Sequence, residues 1–145
     1  MAAGKRQTVY SANAVTLNVA TLPIESGRGP DEFLKIEQQG DDFSHTAGLD
    51  GEGCWNELLD DYTLITVTLL QTSAGNGVLW AAHQASKLAG GKPVPIYIED
   101  RKGTSKLLAT DAMILKNPDE TFAKEAGTCV WLIGCAPDVR VVGGH

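Results

Sequence analysis

Large apolar residues recur at every second position in one segment of this chain after another, and a period of two belongs to β-strands with one buried face. In Val15-Thr16-Leu17-Asn18-Val19-Ala20 the odd positions are large and apolar while the even ones are small or polar. Leu34 and Ile36 alternate with Lys35 and Glu37, and Ile65, Val67 and Leu69 share a face opposite Thr66 and Thr68. Val94, Ile96 and Ile98 likewise alternate with Tyr97 and Glu99. A turn at Asp100-Arg101-Lys102-Gly103 joins that segment to a strand over 106–115, a predicted hairpin. A last strand is predicted from about Thr128 to Cys135, with a short extended tail over 139–142, which makes six or seven strands.

One helix interrupts the strands. Val78, Leu79, Ala82, Ala85, Leu88 and Ala89 recur at helical spacing over about 76–89. Ser73 or Asn76 is placed to cap it, Gly90 and Gly91 to end it, and Pro93 follows. His83 reads as a surface or half-buried position of this helix. Two polar stretches read as loops: 22–32, with Pro23, Gly27, Gly29 and Pro30, and a longer one at about 40–61. A loop of that length inside one domain is uncommon and is usually functional or mobile. With 145 residues, 43% of them hydrophobic, and neither a composition break nor an internal repeat, residues 1–145 read as a single domain. The expected class is mainly β: an antiparallel β-sandwich or small barrel with one flanking helix.

Charge narrows the partners. Twelve Lys and Arg against 18 Asp and Glu give 12 − 18 = −6, the wrong sign for non-specific binding to nucleic acid or to an anionic membrane surface. The longest apolar run, 129–133, is far too short to cross a bilayer. Lys5 and Arg6 are followed by Gln7, Thr8, Ser11 and Asn13 rather than an apolar run, so no targeting segment is expected and the chain reads as made in the cytosol.

Catalytic patterns are missing: no GxSxG elbow, P-loop, HExxH or GxGxxG after a strand. His45, His83 and His145 fall on loop, helix and terminus, which does not suggest a zinc site. Ser44 and His45 are adjacent, and neighbours in an extended chain point apart. Asp50-Gly51-Glu52-Gly53 lacks the alternating oxygens of a calcium loop, and Asp41/Asp42 and Asp60/Asp61 are consecutive, so solvated turn charges are expected. No enzyme, metal or cofactor is expected. Gly51 reads as a position of positive φ. Cys129 and Cys135 stand six apart in one strand, roughly 20 Å when extended, so they cannot bridge each other. An odd count of three leaves packed reduced thiols or an intersubunit disulfide drawn from Cys54, Cys129 and Cys135.

Taken in order, the segments resemble the tail tube-type structural proteins of bacteriophages with contractile tails. Tyr10-Ser11 and the strand to Val19 come first, then Ala47-Gly48-Leu49-Asp50-Gly51-Glu52-Gly53, which is similar to a glycine-acidic signature of that family. Thr66-Val67-Thr68-Leu69-Leu70 runs into Gln71-Thr72-Ser73-Ala74-Gly75-Asn76 and the helix, and Asn117-Pro118-Asp119-Glu120-Thr121-Phe122 precedes the final strand. Cys54, Trp55, Cys129 and Cys135 depart from the pattern. The resemblance implies six copies in a ring with a shared inner β-barrel, and rings stacked into a DNA-conducting tube inside a contractile sheath. Implied partners are the chain itself, the sheath, baseplate and tail terminator proteins, and DNA that passes without specific binding; the implied location is the virion tail. The 40–61 segment would reach a neighbouring subunit, with Asp41, Asp42, Gly48, Asp50, Gly51, Glu52, Gly53, Cys54 and Trp55 as its candidate self-association residues. Two alternatives stay open: a tube subunit of a phage-derived contractile injection or secretion system, and a small β-sandwich ligand-binding module. The latter requires exposed aromatics converging on one face, whereas Trp55, Trp80 and Trp131 fall on loop, helix and strand.

Overall fold

The computed structural model describes residues 10–24, 27–30 and 32–144. Each alternating segment becomes a strand: β1 (Val15–Val19), β2 (Leu22–Pro23), β3 (Leu34–Gln38), β4 (Phe43–Ala47), β5 (Gly53–Glu57) and β6 (Thr63–Leu70) precede α1 (Gly75–Leu88). After the helix come β7 (Val94–Asp100), β8 (Lys106–Lys116), β9 (Thr128–Cys135) and β10 (Val139–Val141). The mainly β, antiparallel fold with one helix is as the alternation requires. The strands beyond the expected seven are the two-residue β2 and, inside the stretch read as a long loop, β4 and β5.

Hydrogen bonds connect the strands along one antiparallel path, β2-β1-β7-β8-β9-β6-β3, with β10 also on β8. β8 changes partners part-way: Lys106 to Ala112 pair with β7, and Met113, Ile114 and Lys116 pair with β9. Register shifts at Val94/Ile96 and Ile114/Lys116 mark the change, and such irregularities bend and twist a strand. The path thus forms two layers around one core. Leu17, Val19, Ile96, Ile98 and Leu107 enter it from one layer, and Ile65, Val67, Leu69, Trp131 and Ile133 from the other. On β6 the alternation is complete, with every odd residue buried and every even one half-buried. Arg28 ties the open side: it bridges to Leu69, its Nη2 donates to the Val15 carbonyl (2.7 Å), and its guanidinium lies 4.3 Å from the Phe33 ring centroid.

α1 buries Leu79, His83 and Ser86. His83 is buried instead of on the surface, and burial, then the nearby Lys87, hold its imidazole below its ordinary pKa. Neither expected cap serves as one. The N-cap position is Ala74, without a side-chain hydrogen bond, while Ser73 Oγ accepts the Gly75 N–H (3.1 Å). Asn76 instead ties three elements together. Its Nδ2 donates to the Leu70 carbonyl (2.9 Å) at the end of β6, and its Oδ1 accepts the Trp131 indole N–H (3.0 Å) from β9. Trp131 is 1% exposed, so that donor has little access to water. At the other end Gly90 and Gly91 take positive φ and the Gly91 N–H returns to the Ser86 carbonyl (2.8 Å), stopping the helix as expected.

Asn76→Ala leaves the buried indole N–H unpaired and is expected to lower unfolding free energy by about 1–3 kcal/mol. Denaturant unfolding followed by tryptophan fluorescence measures it; an unchanged midpoint would remove Asn76 from this role.

Candidate self-association surface

β4 and β5 form a two-stranded ribbon of their own and, among the described residues, pair with no other strand. It prolongs the β3–β6 ladder. Gln38 pairs with Thr63 and Phe43 with Glu57, so five steps on one strand (38 to 43) run against six on the other (63 to 57). Between them the Gln39 N–H reaches the Tyr62 carbonyl (2.9 Å) and the Leu58 N–H reaches Asp42 (2.8 Å). The extra residue therefore lies within 59–61, a bulge that re-aims the ribbon. The 40–61 segment is a hairpin rather than a loop.

Alternation gives the hairpin two unlike faces. Phe43, His45 and Ala47 share one with Gly53, Trp55 and Glu57, and Ser44 and Thr46 share the other with Cys54 and Asn56. On the first face the His45 and Trp55 rings stand 4.7 Å apart at 59°. A Cβ at Gly53 would collide with His45 Nε2, so glycine there leaves room for the ring. On the second face Asn56 Nδ2 donates to Ser44 Oγ (3.2 Å) and Thr46 Oγ1 (2.9 Å). Phe43 is 63% and Trp55 73% exposed, and Leu49 at the tip is fully exposed. An isolated two-stranded hairpin is marginally stable in water; this one presents an exposed aromatic face.

The tip is a tight turn. The Gly48 N–H donates to the Glu52 carbonyl (2.6 Å), the Gly51 N–H to Gly48 (3.2 Å), and the Glu52 N–H to Asp50 Oδ1 (3.1 Å). Gly51 has φ +92°, as the sequence suggests, and a Cβ there would meet no atom within 4 Å. The demand for glycine is therefore set by the backbone alone.

All nine sequence-derived candidates fall on this one element. Asp41 and Asp42 lie at its base, where Asp42 Oδ1 accepts from Gln38 Nε2 (2.8 Å). Gly48, Asp50, Gly51 and Glu52 build the tip, and Gly53, Cys54 and Trp55 begin β5. Phe43, His45 and Leu49 were not foreseen, although Phe43/His45 on one side and Trp55 on the other alternate around an Asp-Gly turn, itself a hairpin signal.

The cysteines separate into two kinds. Cys54 is exposed, while Cys129 and Cys135 are buried in β9, and all three are free thiols. Burial first, then Asp111, push the Cys135 thiol up to about 11 against an opposing pull from Arg140. Burial and Glu120 raise Cys129 as well. His45 and His83 lie on hairpin and helix, and His145 lies outside the described residues. Among the described residues no group of three or more His, Cys, Asp or Glu is arranged to hold a metal. Trp55 and Trp80 are exposed on separate elements, and Trp80 lines one cleft with the buried Trp131, so the three tryptophans do not converge on one face.

Residues 11–143 match the family model described as the bacteriophage PhiTE tail tube protein. The chain belongs to that tail tube family. A structural protein of Pseudomonas phage KPP10 is 26% identical over 97% of this chain and 85% of its own. Among solved structures, the tube-terminating cap of the anti-feeding prophage superposes with TM-score 0.57 at 10% identity, covering 92% of this chain and 91% of that one. A chain of the sheath–tube complex of the extracellular contractile injection system PVC gives 0.56 at 14% identity, covering 90% and 88%. Those structural likenesses carry the fold; the family match makes this a structural, non-enzymatic protein.

Alkylation of the native monomer at pH 8 should modify Cys54 alone, because the thiolate is the nucleophile and the β9 thiols are shielded and protonated. Mass spectrometry should count one label on the native chain and three after denaturation; rapid native labelling of Cys135 would contradict its placement. Gly51→Val forces a β-branched residue to positive φ, about 1–3 kcal/mol of local strain. It should fray the tip, seen as faster amide exchange at Gly48 and Glu52 with the sandwich unchanged, and wild-type exchange rates there would overturn this.

Proposed function

We propose that this chain is the repeating subunit of a phage tail tube, assembling as stacked hexameric rings whose sheets join into one inner β-barrel inside a contractile sheath. The match of residues 11–143 to the tail tube family carries the reading. A free edge supports it. Among the described residues β3 ends the sheet path, which leaves backbone donors and acceptors that a neighbouring copy would pair. The amphipathic hairpin would supply a second contact, to the adjacent subunit or the next ring.

In this reading DNA passes through the lumen without specific binding, consistent with a net charge of −6 that disfavours phosphate contacts. Sheath, baseplate and terminator proteins would be the other partners, and the assembled chain would reside in the virion tail. An intersubunit disulfide, if one forms, would join Cys54 thiols, since the other two are buried. The likeness to injection-particle tubes, at 10% and 14% identity, carries the fold only, and both sequence-level matches are to phage proteins; capsid and portal genes beside this one would fit the phage tail.

Negative-stain microscopy of the purified chain is expected to show rings or tubes, and monodisperse monomers under every condition would refute the reading. Deleting residues 48–54 is expected to leave the circular dichroism spectrum of a folded sandwich while sedimentation shows loss of stacked species. Undiminished stacking would show that the hairpin tip is not an intersubunit element.

A further inference from the structure

At the open end of the sandwich lies a cleft of about 500 Å³. Phe33, Leu34 and Ile36 line one side, and Ile98, Val141 and Val142 the other. Its volume suits several side chains. Lys106 and Arg140 stand at its mouth, and neither takes part in an ion pair among the described residues, where Lys35–Glu37 is the pair formed. Arg101 and Lys102 occupy the adjoining β7–β8 turn. Two acids, Glu32 and Asp100, share the lining, so basic residues outnumber acidic ones around the mouth only when Arg101 and Lys102 of the adjoining turn are counted with Lys106 and Arg140.

The hairpin has the opposite sign. Residues 37–61 contain eight acids and no Lys or Arg, and the tip sets the fully exposed Leu49 beside Asp50 and Glu52. A chain cannot fill its own cleft with this tip. Leu49 lies 13 residues beyond Ile36, roughly 40 Å along an extended strand, and β4 and β5 are laddered together over that path.

We propose that the β4–β5 tip of one copy docks in the sandwich cleft of the next, with Leu49 entering the apolar cleft and Asp50 and Glu52 meeting Lys106 and Arg140. This rests on the tail tube reading and names the receptor for its hairpin. The contact is heterologous, tip to cleft, and so propagates in one direction around a ring or along a stack. Charge complementarity of this kind selects partner and register.

Charge reversal tests it on the full chain. Asp50→Lys with Glu52→Lys, and separately Lys106→Glu with Arg140→Glu, should each lose the rapidly sedimenting assemblies while keeping the wild-type circular dichroism. An equimolar mixture of the two, or all four substitutions in one chain, should restore them. Assembly of either pair at wild-type levels, or failure of both combinations to recover while the variants remain folded, would overturn the docking. Independently, a photo-crosslinking p-benzoylphenylalanine in place of Leu49 should join a second chain within residues 101–108 or 139–142. Crosslinks confined to one chain, to residues 1–9, or to another surface would overturn the cleft assignment while leaving the tail tube reading intact. A wild-type chain that never assembles defeats both.

Discussion

Between β6 and β9 the pairing runs in unbroken register from Thr63–Cys135 to Leu70–Thr128, and alternation then sets Ile65, Val67 and Leu69 beside Ile133, Trp131 and Cys129 on one inward face. The other elements are positioned by that ladder. β3 extends it on one side and β8 on the other, and Asn76 fixes the start of α1 to both of its strands through Leu70 and Trp131. Burying that row takes its apolar surface out of water, a gain of roughly 25 cal/mol per Å². Outside this row the chain has less to gain from its own interior.

The hairpin follows from that difference. β3 and β6 have a core beneath them, whereas β4 and β5 continue the same two strands past the edge of the sandwich, where no layer lies under either face. After the bulge at 59–61 the aromatic residues line up as Phe43, His45 and Trp55, and the polar ones as Ser44, Thr46 and Asn56. A ribbon that presents an aromatic row to water is held by its cross-strand pairs, a few tenths to about 1 kcal/mol each. Packing against another copy would add the missing layer, so in the proposed tube the hairpin's order and the assembly's stability are coupled.

The same division explains which features were legible in the residues. Strands whose one face is buried by the chain itself, such as β6, print their period directly, and so do the ends of α1 at Gly90 and Gly91. β4 and β5 do not, because their alternation of Phe-Ser-His-Thr-Ala against Gly-Cys-Trp-Asn-Glu mixes small and polar residues on both faces and answers to no surface within the chain. Ser73 and Asn76 carry the right chemistry for a cap, yet tertiary partners claim Asn76, and Ser73 Oγ accepts the Gly75 N–H from a position before the N-cap. The change of partners along β8 left no local signal, since a strand shared by two layers has apolar residues at both ends. At the candidate surface the glycines and acids were readable as a turn, but the aromatic face became visible only once the register put Trp55 opposite His45.

Register also gives the excess acid a place. Eight of the 18 carboxylates lie between Glu37 on β3 and Asp61, seven of them on the 40–61 hairpin, while Arg101, Lys102, Lys106 and Arg140 collect around the β7–β8 turn and β10. Keeping the two signs on separate elements has a physical consequence. In the proposed docking, copies meeting hairpin to hairpin would repel and copies meeting hairpin to turn would attract, so the head-to-tail encounter would be favoured before any apolar contact forms. A head-to-tail contact is directional, and it either closes into a ring or continues as a fibre according to the rotation it imposes. The edge of β3 bears on that choice, because pairing it with a neighbouring copy would require each copy to turn by the twist of one sheet relative to the next. Charge would thus set the polarity of the assembly, and the sheet edge its closure.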